Sequence, residues 1–209
     1  MKFSELRTLA WPSIAQGMET TGYIKNKKNK YLYEKVISED WRLSIGFNTA
    51  GRQGRNHFLV NPILAISYTE PDRIFTRLTG RTTIETRLLV SIGYVMPEND
   101  YIEWDYYTGC EPNTITANLM NAIKTFALPF MDQCLQLENF IENYKRFGFM
   151  PYIAFHIPIL YYVQGDCQAA KDSLNMYLKL SKDQNDFSRG APMDYQEFYD
   201  IMLPELQTK

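Results

Sequence analysis

A chain of 209 residues, 45% hydrophobic and 22% charged, holds enough apolar side chains to fill one core and is short for two. Its formal charge of −2 and pI near 5.8 argue against a dedicated nucleic-acid binder, and no stretch approaches the roughly 20 apolar residues that span a bilayer. The charged start Met1-Lys2-Phe3-Ser4-Glu5-Leu6-Arg7 lacks the apolar centre of a signal peptide, so the expected location is cytoplasmic.

In chain order, Leu6, Leu9, Ala10, Ile14 and Met18 recur at helical spacing, with Ser4 as N-cap and Gly22 as the stop. Pro12 predicts a kink, or a start nearer Ser13. Residues 31–37 read as a strand, and residues 41–47 alternate with Trp41, Leu43, Ile45 and Phe47 on one face. The Gly-, Asn- and Arg-rich residues 48–56 read as a hairpin loop. Residues 57–68 form a third strand, in which Pro62 predicts a bulge or an edge. A short helix over 70–78 follows, with Pro71 in its first turn and Gly80 at its end. Two more strands span 86–95 and 101–107, and the second sets Ile102, Trp104 and Tyr106 against Glu103, Asp105 and Tyr107.

From Asn113 onward the pattern is helical. One helix carries Ile115, Leu119, Ala122, Ile123 and Phe126 and is broken by Pro129; a second runs 131–147 to Gly148. A Pro-interrupted apolar helix reaches Val163, the Gly165-Asp166 turn leads into a helix through Leu180, and Asp194 caps a last helix ending near Pro204. The turn at 161–178 is similar to the hinge of a tetratricopeptide repeat, but no second copy follows at the required period. Strands grouped before helices predict a single α+β domain over 1–209. Its N-terminal helix leads to a mostly antiparallel sheet of about five strands with an inserted short helix, over 1–110. The helical tail, 111–209, packs on or beside that sheet.

The residues that could carry chemistry are few. His156 sits in an apolar run, and His57 opens a strand after a basic loop. Cys110, Cys134 and Cys167 have no metal-ligand spacing and read as buried thiols. The loop Gly51-Arg52-Gln53-Gly54-Arg55-Asn56 lacks the lysine and the strand-to-helix setting of a phosphate loop. Glu98, Asp100, Glu103, Asp105 and Glu111 form a carboxylate group without the spacing of a metal site, and read as a solvated face. Neither a catalytic set, a metal nor a cofactor is expected. Charge is divided along the chain: residues 1–90 carry +6 and residues 91–209 carry −8.

Gly22-Tyr23-Ile24-Lys25, Tyr31-Leu32-Tyr33, residues 41–48 and Phe58-Leu59-Val60-Asn61 resemble a family of mostly bacterial proteins known as domain of unknown function 4304. Ala127-Leu128-Pro129-Phe130 is similar in kind. The resemblance implies an α+β fold and brings no catalytic residues, and its style is that of immunity partners of bacterial toxins.

Three functional expectations follow. The first is a non-enzymatic protein-binding role, most concretely an immunity protein whose contacts are Glu103, Asp105, Tyr107 and Glu111, meeting a basic toxin such as a nuclease. The second is a nucleic-acid-associated protein using Lys25, Lys27, Lys28, Lys30, Arg52 and Arg55. The third is an enzyme with an unfamiliar site around the carboxylates or His57.

Overall fold

The first apolar stripe packs as its spacing requires. In the computed structural model, which describes residues 2–51, 56–82, 85–149, 151–183 and 191–208, helix α1 spans Phe3–Glu19 and buries Leu6, Ala10, Ile14 and Met18. Its N-cap is Lys2, not Ser4, and the Lys2 amide donates to the Glu5 carboxylate at 2.8 Å. Pro12 lies inside the helix. The carbonyl that loses its amide partner there belongs to Thr8, an exposed residue, so water can take the bond.

The strands are β1 (Ile24–Lys25), β2 (Leu32–Val36), β3 (Trp41–Ala50), β4 (His57–Tyr68), β5 (Arg87–Ser91) and β6 (Trp104–Tyr107). They form one sheet in the order β1-β2-β3-β4-β5, with β6 also paired to β4. The pairs β1/β2, β2/β3 and β4/β6 are antiparallel. β3 continues through Ala50, into the stretch whose composition predicted a loop. β1 has two residues, too short for alternation to reveal.

Pro62 proves to lie in the middle of a buried, central strand. Along one side of β4 the neighbour changes: β6 pairs with His57 to Val60, and further on the Tyr68 amide donates to the Thr86 carbonyl beside β5. Pro62 falls between the two, where a missing N–H costs the ladder least.

Helix α2 (Glu70–Thr79) ends at Gly80, and β5 leads into a 3-10 turn, Ile92–Val95. Helix α3 (Pro112–Ala122) passes through a π turn, Ile123–Ala127, into α4 (Leu128–Gln133). Pro129 therefore does not break the helix. The widened turn just before it accommodates the ring and the missing donor, a usual role for a π turn. Helices α5 (Leu137–Phe147), α6 (Tyr152–Gln164), α7 (Cys167–Asp183) and α8 (Tyr195–Glu205) complete the chain. Asp194 caps α8 by accepting from the Gln196 and Glu197 amides. Gly165, at φ +88°, makes the turn from α6 to α7, and the buried Ala170 lets those helices pack closely.

The architecture is α+β. Its contacts divide the chain into two compact units, drawn from interleaved segments. The first comprises residues 1–66 and 89–133, and the second residues 67–88 and 134–209. In the first, α1 packs on α3 and both touch β6. In the second, α6 packs with α2, α5 and α7, and a cluster of Phe75, Phe155, Tyr195 and Phe198 fills the centre. The grouping does not follow the division at residue 110: α2 joins the later helices, while α3 and α4 belong with the strands.

Candidate functional site

The strand β6 alternates as its sequence requires. Tyr106 is buried and shares a hydrogen bond of 3.0 Å with Thr116, while Asp105 and Tyr107 face the other way. Burial pushes the Tyr106 phenol up to about 12, so it stays neutral. The opposite face of β6 carries Asp105 and Tyr107, and the segment that enters the strand carries Tyr101 and Glu103, with Tyr94 of the 3-10 turn close to Tyr101.

Buried neutral groups hold this face in place. Asn61, on β4, is 1% exposed and donates its side-chain amide to the Ile102 carbonyl at 2.6 Å and to Ser91 Oγ at 2.8 Å. It thereby ties the end of β5 to the segment that enters β6. Gly93 does the same by absence: a Cβ there would lie 2.0 Å from the Asp100 carbonyl oxygen, so no other residue lets the chain fold back so closely. The Asp100 amide donates to the Gly93 carbonyl, and Asn99 turns the chain at φ +49°.

On this frame Tyr94, Tyr101 and Tyr107 are 40%, 51% and 47% exposed. Tyr101 donates to the Glu103 carboxylate at 3.1 Å. Its phenol is held above the ordinary value by desolvation, by that bond and by the nearby Tyr94. Asp105 is not simply a solvated charge. Both its oxygens face His57 Nδ1, at 2.7 and 2.8 Å, diagonally across the β4/β6 pair, and the His57 ring lies 6.0 Å from that of Tyr107. The carboxylate accepts from Nδ1–H and so fixes the orientation of the ring. Among the described residues, no side chain bonds to Nε2 as a nucleophile would.

Asp105 and Tyr107 share a face of β6, and Glu103 precedes the strand and accepts from Tyr101. Glu111 is the exposed N-cap of α3, beyond the turn that follows β6. Asn61 and Gly93 were missed as site residues, and His57 was named without its pairing to Asp105. Each acts on a partner 7 to 48 residues away, and no local pattern announces such pairings.

The second set of predicted residues surrounds β1. Lys25, Lys27, Lys28 and Lys30 are exposed, while Arg52 and Arg55 lie outside the described residues. His156 is buried and shares a 2.6 Å hydrogen bond with Tyr144, so it is a core histidine. Cys110, Cys134 and Cys167 are free thiols, but only Cys134 is buried, and burial pushes it up to about 12; Cys110 follows the end of β6 and Cys167 opens α7, where both are partly exposed.

A cleft of about 620 Å³ runs beside α2 and is lined by Asp72, Arg73, Arg77 and Glu85 among others. Its arginines are engaged, Arg73 by Glu70 and Arg77 by Glu205. Asp72 accepts from the Thr86 amide and hydroxyl, and burial raises its carboxyl to about 6 against those bonds. Among the described residues no three His, Cys, Asp or Glu side chains converge to hold a metal ion, and no helix is long and apolar enough to cross a membrane. The chain matches no family model, no curated protein and no solved structure.

Proposed function

We propose that this protein acts by binding another protein through the face of Tyr94, Tyr101, Glu103, Asp105 and Tyr107, as an immunity protein would when it covers the working surface of a basic toxin. One observation carries the reading: three half-exposed tyrosines and two carboxylates stand on a frame fixed by Asn61 and Gly93. Tyrosine presents a large contact area and loses little side-chain entropy on binding. A frame already rigid before binding avoids the ordering cost that usually limits affinity. The carboxylates favour a cationic partner and speed its encounter.

The test is native mass spectrometry of the chain co-expressed with the products of its neighbouring genes, in parallel with Glu103→Lys. A stoichiometric complex that the wild type forms and the variant loses is the expected result. A complex retained in the variant moves the interface elsewhere, and no complex at low salt removes the reading.

A further inference from the structure

We infer that the opposite end of the sheet, at β1 and β2, is a second docking surface, which takes an extended acidic segment of another protein as an added strand. In β2 the odd-numbered positions bond to β3: the Phe47 amide donates to the Tyr31 carbonyl, and the Ile37 amide donates to the Trp41 carbonyl. The even-numbered positions therefore face outward, and the Asn26 amide donating to the Leu32 carbonyl agrees. β1 covers this outer edge only as far as Glu34, which pairs with Ile24. Among the described residues no strand follows, so the N–H and C=O of Val36 have no strand partner on this side, nor do those of Lys25 on the outer edge of β1.

The side chains beside that edge suit one kind of occupant. Cross-strand partners share a face, so Ile24, Glu34 and Val36 lie on the same side. Ile24 is 77% exposed and Val36 68%. They line a cleft of about 780 Å³ together with Lys25, Lys27 and Lys28. Its carboxylate, Glu34, already accepts the Asn26 side-chain amide. An incoming strand would bond to the open backbone, lay aliphatic side chains on Ile24 and Val36, and pair its carboxylates with the lysines.

Lysines on a sheet edge ordinarily prevent aggregation. They repel a second basic edge, including that of another copy of this chain, and do not repel an acidic strand, so the same charges select the partner. Nucleic acid fits less well, because single strands need free aromatic faces for stacking. The aromatic ring in the loop, Tyr31, carries Lys30 Nζ at 4.9 Å over its face and the edge-on ring of Trp11 at 4.6 Å.

Fluorescence anisotropy with a labelled, end-blocked peptide of alternating Glu and Val tests this. The expected result is binding that weakens roughly tenfold or more when the peptide backbone is N-methylated on its bonding edge, and likewise with Val36→Pro. The methylated peptide changes nothing in the protein, so misfolding of the variant cannot mimic the effect. Lys25→Glu with Lys27→Glu should abolish binding, and a Lys/Val peptide should not bind. Equal affinity for the methylated peptide would reduce the surface to unspecific charge attraction. An oligothymidylate that binds as tightly and competes would make it a nucleic-acid surface, and no binding of the acidic peptide at low salt would leave the edge merely guarded. Each of these three outcomes overturns the inference.

Discussion

The two compact units bury polar groups of different kinds. In the unit of residues 1–66 and 89–133, Asn61, Ser91, Tyr106 and Thr116 pair as neutral groups, and none of them changes charge near neutral pH. In the unit of residues 67–88 and 134–209, a partly buried carboxylate, Asp72, meets Thr86, and a buried histidine meets Tyr144. Neutral pairs shape a surface without making it pH-sensitive, whereas a desolvated carboxylate ties its surroundings to the proton concentration. The neutral pairs lie under the tyrosine face, on whose surface His57 meets Asp105, and the desolvated carboxylate lies beside α2.

The sharpest way to break this comparison is Gly93→Ala. Its Cβ would meet backbone, which cannot swing aside, and a loss of about 3 kcal/mol is expected. Trp11, Trp41 and Trp104 all lie in the first unit, so urea unfolding followed by tryptophan fluorescence reads it. A loss near zero would mean that the 94–102 segment is not held as described. Asn61→Leu comes next. It keeps the branching of the side chain but strands the Ile102 carbonyl and the Ser91 hydroxyl and adds the bulk of two methyl groups, costing about 2 kcal/mol. Fluorescence unfolding should show this loss unchanged between pH 5 and pH 8.

The smallest effect concerns Asp72 and has a sign opposite to that of a salt-bridged carboxylate. Its pKa rises from 3.8 to about 6 on folding, so the folded state binds the proton more tightly. The stabilisation is fully present below the unfolded value and is lost as pH rises through about 6. Hydrogen exchange in α6 should therefore show weaker protection at pH 7 than at pH 5, relative to Asp72→Asn, in which this dependence disappears. Greater protection at the higher pH in the wild type would show that the Thr86 bonds outweigh desolvation.

Much of the fold was legible because periodicity reports which face of an element is buried. Leu43, Ile45, Phe47 and Tyr106 occupy the core as their spacing predicts, and the Asp194 cap is local chemistry. Periodicity says nothing about which element covers that face. The interleaved units and the membership of α2 among the later helices were therefore invisible. The candidate site divided in the same way. Alternation showed that Asp105 and Tyr107 share a face, but the groups that support them, His57, Asn61 and Gly93, act across the fold. Pro62 and Pro129 misled because each removes a donor at a place where the fold has already stopped asking for one.

The π turn at Ile123–Ala127 has a consequence for the length of the chain. It holds one residue more than an α-helical turn would, a spare link wound into the helix. Removing any one residue there would restore the ordinary winding and leave the helix beyond it in nearly the same rotational phase. Met131 would stay in the core beside the Tyr23 hydroxyl, 3.7 Å from its sulfur, and the whole penalty would fall on Pro129, whose ring would then meet an ordinary helical turn. The spare residue therefore serves the proline, not the register of α4.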